Sequence, residues 1–355
     1  MAKNSRRSSN EPTNEDTTWM KIALHEGRKG LGFTSPNPPV GAVLVKDDQI
    51  LGKGWHQKAG EPHAEINAIE DALKRHPDAD LKKASLYVTL EPCSTEGRTG
   101  ACTEAILKHQ IGRVVIGCLD PNPDHAGAGI EILEKAKVKV VAGCREDECE
   151  HLIRFFAKYI TSGRPWVIAK TAITLDGRTT LRGEDGPWIT GELAQDDVQK
   201  LRRQIDAILV GGETIRRDNP RLTLRGEFAK DRPQPWRVIL TATKELPEGA
   251  KVFTDEHHER TMLLRGASLE KSLDLLGKQG ICSVMVESGG RLLSHGLAND
   301  LVDEVVIYIA PILGGGDTRL FPVDRIVADL ADVTYEQIGR DMRVTGFPKR
   351  RPTQI

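Results

Sequence analysis

One histidine and two cysteines, far apart in the chain, constrain its fold most. They are His63 in Pro62-His63-Ala64-Glu65, Cys93 in Glu91-Pro92-Cys93, and Cys102 after eight further residues. One imidazole and two thiolates can hold a tetrahedral zinc ion whose fourth position stays open to water. A fold that uses them must bring three separate segments to one point. Glu65 is not needed as a ligand, and a carboxylate beside an open metal position is free to carry protons. Two residues apart on a regular helix is about 200° around the axis, so His63 and Glu65 would diverge. The pair must therefore use an irregular first turn. Pro62 fits a helix start, because proline is tolerated at the first helical position.

His-Ala-Glu alone is a weak signal, and so is Pro-Cys. In this order, with agreeing strand and helix contexts, they form the pattern of zinc-dependent deaminases. The reaction such a set supports replaces an amino group on a ring carbon by oxygen, with loss of ammonia. The usual spacing is Cys-x-x-Cys. Here the loop from Ser94 to Ala101 must fold back to present Cys102. Six cysteines are present in all. Cys118 and Cys282 sit in apolar, strand-like runs and read as small buried hydrophobes. Cys144 and Cys149 lie near a helix start and leave a second metal site open, though no histidine partner is evident.

A length of 355 residues suggests two or three domains. Lys and Arg total 50 against 51 Asp and Glu, and aromatics are only 5%. Neither the basic surface nor the stacking platforms of a general nucleic-acid binder are expected. No apolar run approaches the ~20 residues of a membrane helix. Residues 1–17 are polar and include Glu11, Glu15 and Asp16. They read as a disordered tail rather than a secretory or transit signal, and a cytoplasmic protein is expected.

Beyond the tail, helices are expected over 18–32, 62–75, 103–109 and 130–136, with strands at 40–45, 50–55, 86–89, 113–117 and 138–142. This alternation predicts a layered α/β domain over 18–145. A helix and linker over 146–163 end at Gly163-Arg164-Pro165. Alternation then resumes over 164–355, with strands at 166–173, 207–210, 238–240, 262–264, 284–286 and 305–309 and a helix at 192–204. No Gly-x-Gly-x-x-Gly and no Walker loop occurs, which disfavours Rossmann and P-loop folds.

Several stretches together carry a resemblance: Ser35-Pro36-Asn37-Pro38-Pro39-Val40-Gly41, Gly54-Trp55-His56, Ala59 to Glu65, Thr89 to Ser94 and Gly97-Arg98-Thr99. They resemble the pyrimidine deaminase of riboflavin biosynthesis, a family that has the same long loop between its cysteines. The resemblance implies zinc ligands His63, Cys93 and Cys102, with Glu65 as proton carrier. It implies Asn37 and His56 as contacts to the pyrimidine and its surroundings, and Arg98 as a contact to the ribose phosphate. Read without it, Asn37 between prolines is a turn residue and His56 a strand-end surface group.

In the second half, Lys170 to Arg178, Trp188-Ile189-Thr190, Gly211 to Thr214, Asp218 to Arg225 and Glu287-Ser288-Gly289-Gly290 resemble the reductase half of the bifunctional riboflavin enzyme, a relative of dihydrofolate reductase. The glycines alone are a weak phosphate signal, since glycine pairs often just mark turns. The expected architecture is an N-terminal cytidine-deaminase-like α/β/α layered domain followed by a C-terminal dihydrofolate-reductase-like α/β domain. The resemblance implies reduction of a ring-opened ribose to a ribityl chain by NADPH. It implies that Ala172, Trp188, Thr214, Asp218, Gly289, Gly290, Arg291, Leu292, Leu293, Ser294 and His295 line the cofactor site. Gly186, Arg202, Leu222, Arg225 and Glu287 would face substrate, with Arg202 and Arg225 suited to grip its phosphate bidentately. Lys170 and Asp218 are candidates for protonating the carbonyl oxygen. A homo-oligomer without nucleic-acid or membrane partners is implied. Two other readings stay open: a deaminase of flipped nucleic-acid bases, and a deaminase whose second domain is not catalytic.

Overall fold

The computed structural model describes residues 11–94, 100–123, 125–181, 189–242, 245–288, 290–315, 318–320 and 328–349. The chain divides into two compact units, Met1–Ser162 and Gly163–Ile355.

In the first unit, α1 (Asn14–Arg28) begins inside the segment expected to be a tail. A capping box explains this: the Thr13 hydroxyl accepts from the Asp16 N–H, and the Asp16 carboxylate accepts from the Thr13 N–H at 2.8 Å. The same carboxylate takes a bidentate fork from Arg113 at 2.7 and 2.8 Å and a bond from the Tyr87 hydroxyl at 3.1 Å. Arg113 lies too far along the chain for local pattern reading to find the pair.

Strands β1 (Gly41–Lys46) and β2 (Gln49–Trp55) form a hairpin. Its turn residues Asp47 and Asp48 have φ of 50° and 56°, the doubly left-handed form that matches strand twist. With β3 (Ser85–Leu90), β4 (Arg113–Cys118) and β5 (Lys139–Val141) they make a five-stranded sheet in the order β2-β1-β3-β4-β5. β1 meets β2 and β3 antiparallel, and β3, β4 and β5 are parallel. The centre is apolar on both faces, with Leu44, Leu86, Val88, Val114 and Ile116 fully buried, as covered parallel strands require.

Helix α2 (Ala64–Arg75) buries Ala64, Ala68, Ile69 and Ala72 on one stripe. It lies directly on β2, because a Cβ on Gly52 would fall 2.2 Å from the Ala68 carbonyl oxygen and one on Gly54 2.4 Å from the Ala68 nitrogen. Helices α3 (Cys102–Lys108) and α4 (Ala128–Lys135) follow. α5 (Glu146–Ser162), expected as a connector, instead packs Cys149, Leu152 and Ile153 into this unit's core.

The second unit is an eight-stranded mixed sheet ordered β12-β13-β11-β6-β10-β7-β8-β9. Its elements are β6 (Trp166–Thr174), α6 (Glu192–Gln204), β7 (Ala207–Gly211), α7 (Gly212–Asp218), β8 (Trp236–Thr241), α8 (Lys251–Thr254), β9 (Thr261–Arg265), α9 (Leu269–Lys278), β10 (Ser283–Val286), α10 (Gly290–Ala298), β11 (Glu304–Ala310), β12 (Leu330–Ile338) and β13 (Asp341–Pro348). Strands β11, β6, β10, β7, β8 and the edge strand β9 run parallel. Val167, Ala169, Leu209, Val284, Val286, Leu273 and Leu293 form much of one core layer. The β12–β13 hairpin is absent from the sequence expectations. It forms the sheet's antiparallel edge, and β12 is largely exposed, so no apolar run marks it.

Burial alone would raise the Asp16 carboxyl, but the Arg113 and Thr13 hydrogen bonds outweigh it and hold it at about 2, against an ordinary 3.8. Such a depressed group stabilises the fold above about pH 4 and loses that contribution as pH falls through about 2. Asp16→Asn is therefore expected to cost roughly 2 kcal/mol at pH 7. The gap to the parent should close between pH 4 and 2 in chemical unfolding followed by circular dichroism. A gap independent of pH would refute the pairing.

Candidate active sites

His63 is the N-cap of α2, in extended backbone at φ −73° and ψ 166°, and Ala64 is the first helical residue. Pro62 thus precedes the helix instead of occupying its first turn. The extended His63 frees its side chain from helical register, which lets it share a site with Glu65. Cys93 follows the end of β3, and Cys102 opens α3. The His63 Nδ1 lies 3.3 Å from the Cys102 Sγ and 3.5 Å from the Cys93 Sγ, and the three donor atoms all fall within 4.8 Å of one another. At usual zinc bond lengths, neighbouring ligand atoms of a tetrahedron stand about 3.6 Å apart. Donor types and spacing therefore fit zinc. Among the described residues no other group of three such side chains converges, and Cys144 and Cys149 are plain buried thiols.

The Cys93 thiol is held below the ordinary range by hydrogen bonds from Cys102 and His63. Cys102 is pushed up by the same shared bond and by burial. His63 is raised, chiefly by Cys93. Glu65 is 3% exposed, and burial together with the Cys93 charge lifts it to about 7.

A second wall is fixed by one tautomer. His56 Nδ1 sits 3.1 Å from the Pro62 carbonyl oxygen and so donates to it. Its Nε2 then accepts from the Asn37 Nδ2 at 3.1 Å. Burial lowers the His56 pKa, which keeps that neutral form. That orientation turns the Asn37 side-chain carbonyl oxygen away from His56. His56 is 2% exposed, so the surface reading of this residue fails. Arg98 lies outside the described residues.

Glu91 received no role from the sequence. Its buried carboxylate accepts the Asp120 N–H at 3.3 Å, the Gly127 N–H at 3.0 Å and the Gly129 N–H at 3.0 Å. It thus caps α4, whose N-cap Gly127 has no side chain to do so. The loop it holds carries Asp120, whose carboxyl is raised by burial and by the Glu91 and Cys93 charges. No local spacing signals this long-range cap.

In the second unit, register pairs Val286 with Ala169, so Glu287 comes beside Lys170 at 3.8 Å. Arg202 grips Glu287 with Nε and Nη2 at 2.7 and 3.0 Å, and its Nη1 donates to the Thr223 carbonyl at 3.0 Å. Its fork is therefore occupied by a carboxylate in this structure. Burial opposes ionisation of Glu287, yet Arg202, Lys170 and Arg225 keep it at about 2. Lys170 is lowered by burial and by Arg202. Its ammonium lies 5.7 Å from the Tyr308 ring centre, and the Tyr308 hydroxyl donates to Asp197 at 2.7 Å.

Asp218, at the end of α7, is exposed, and among the described residues no hydrogen bond or ion pair joins it to this group. Leu222 is buried at φ 55°. Ala172 lies on β6 and Thr214 on α7. On α10, Gly290, Leu293 and Ser294 are buried, Leu292 is half-buried, and Arg291 and His295 are exposed. Leu293 belongs to the core layer. Gly186, Trp188 and Gly289 lie outside the described residues.

Residues 13–118 match the cytidine and deoxycytidylate deaminase zinc-binding region, and residues 165–344 match the RibD C-terminal domain. The riboflavin biosynthesis protein RibD of Aquifex aeolicus is 40% identical over 85% of this chain and 88% of its own length. That of Bacillus amyloliquefaciens is 38% identical over 93% and 96%. The solved structure of Acinetobacter baumannii RibD is 37% identical, with a TM-score of 0.84 over 95% of this chain and 99% of its own. A solved deaminase/reductase from Thermotoga maritima has a TM-score of 0.83 at 35% identity, over 94% and 99%. The chain belongs to the RibD family, the bifunctional deaminase-reductases of riboflavin biosynthesis.

Proposed function

We propose that the first unit hydrolyses the amino group of a diaminopyrimidinone ribosyl phosphate, and that the second then reduces its ribose to a ribityl chain with NADPH. The convergence of His63, Cys93 and Cys102 beside an unliganded, buried Glu65 carries the first step. These three side chains would hold zinc. Zinc, when bound, brings the pKa of water at its open position into the neutral range. Glu65 accepts one proton from the attacking water and gives it to the ring nitrogen, then takes the second proton from the new hydroxyl and gives it to the amine, which departs as ammonia. Asn37, oriented by His56, accepts a hydrogen bond from the pyrimidine edge.

For the second step, β7 and β10 are adjacent and parallel, and each runs into a helix at its carboxyl end. Ligands of open α/β sheets collect outside the carboxyl ends of the strands. β7 ends on Gly211, where a Cβ would fall 3.1 Å from the Ser288 hydroxyl. The N–H groups opening α10 suit a phosphate, and the buried Ser294 hydroxyl has no hydrogen-bond partner among the described residues. These features fit a dinucleotide. The nicotinamide supplies hydride; the protein supplies position and charge. Lys170, beside Glu287, is placed to protonate the carbonyl oxygen, and Arg225 adds positive charge for the substrate phosphate. No helix among the described residues is long and apolar enough to cross a membrane. We assign the protein to the cytoplasm as a homo-oligomer on the family resemblance.

A mass-spectrometric time course with the zinc-loaded protein tests the whole reading. The amino group should be replaced by oxygen without cofactor, and the ribose reduced only when NADPH is added. Reduction preceding deamination would reverse the proposed order. Glu65→Gln is expected to keep zinc and lose at least 10²-fold in deamination, whereas Cys102→Ser should lose the metal itself, read by atomic emission. Glu287→Gln leaves buried cations facing one another. It should cut reduction by about 10²-fold or more while deamination continues; unchanged reduction would remove Glu287 from the site.

A further inference from the structure

We infer that Arg237, paired with Asp255, is a positioning residue of the reductase that holds Leu222 in left-handed backbone and so shapes the substrate loop 219–225. Arg237 lies on β8 and is fully buried. Its guanidinium forks onto Asp255 at 2.7 and 2.9 Å and donates to the Val252 carbonyl at 3.0 Å and the Arg221 carbonyl at 3.1 Å. Leu222 follows at φ 55° and is the only apolar side chain held at positive φ among the described residues. Such a conformation costs a branched residue roughly tenfold in population, so neighbours must impose it.

The bonds that impose it bracket the residue. Arg237 takes the carbonyl before Leu222, and Arg202 takes the carbonyl after it, at Thr223. The rest of the loop is tied from other elements. Asn219 Oδ1 accepts the Lys251 N–H at 2.9 Å, Gln234 Oε1 accepts the Leu224 N–H at 2.7 Å, and Gln199 Oε1 accepts the Arg225 N–H at 3.0 Å. Through Thr223 and Arg202 the loop connects to Glu287. Arg237 touches none of the groups assigned to substrate and acts on them through Leu222. The inference rests on the reading of Leu222 and Arg225 as substrate-facing.

The test is a double-mutant cycle in the full-length, zinc-loaded protein, with Arg237→Lys, Leu222→Gly and both together. Lysine keeps a charge against Asp255 but cannot fork and also reach Arg221. Glycine adopts the left-handed form without penalty. In the parent background, Arg237→Lys should raise the reductase KM for the deaminated pyrimidine about tenfold. In the Leu222→Gly background the same change should raise it about twofold or less. The KM for NADPH and the deaminase rate should not move. Equal penalties in both backgrounds would reduce Arg237 to a staple for β8 and overturn the inference, as would a loss falling on NADPH instead. If Arg237→Lys also destroys deamination, the chain has misfolded, and Asp255→Asn replaces it in the same cycle with the same expectations. If neither Leu222→Gly nor Arg225→Ala changes the substrate KM, the substrate-loop reading itself fails and takes the inference with it.

Discussion

The deaminase site depends on a backbone-to-backbone contact between α2 and β2. Gly52 and Gly54 leave no side chain between them, and a Cβ at either position would overlap the helix backbone. Hydrogen bonds lock the contact where the site begins. Asn67 donates to the Trp55 and Pro62 carbonyls at 2.8 and 3.1 Å, and His56 donates to Pro62 as well. The candidate metal ligand His63, the proposed proton carrier Glu65 and the Asn37–His56 wall therefore share one rigid base. Close packing of this kind tolerates little volume change, which suits a site whose ligand atoms must meet within a few ångströms.

The second unit solves a different problem. It buries a carboxylate among cations at the ends of parallel strands. Register puts Glu287 beside Lys170, α6 brings Arg202 to it, and Arg225 is close enough to feel both Arg202 and Glu287. Buried charges are costly unless paired. Here Glu287 answers Arg202 in full and Lys170 in part. The Glu287–Arg202 pair engages the guanidinium that its residue type suggests for a phosphate.

Much of this was legible in the sequence for physical reasons. Cysteine and histidine in that order have few chemical uses, so the candidate zinc ligands stood out, and apolar periodicity marked most inner strands and several helices. Other features left no local trace. α1 starts early because Asp16 finds Arg113 across the fold. β12 is too exposed to carry an apolar signal. Glu91 caps a helix more than thirty residues away, and Arg237 looks like any arginine in a strand until its four bonds are seen.

The sequence by itself determined the chemistry available: a zinc-ligating set with a spare carboxylate, then a separate α/β half rich in arginine and glycine near strand ends. Residue type decides these things, because thiolates, imidazoles and guanidiniums bring their reactivity with them. Only the tertiary structure decided which of those groups are committed to one another. It turned Arg202 toward Glu287, made His56 a buried hydrogen-bond relay to Asn37, and gave Leu222 a backbone conformation that leucine disfavours. Those outcomes depend on burial and on partners distant in the chain. No local sequence pattern encodes the geometry that joins them.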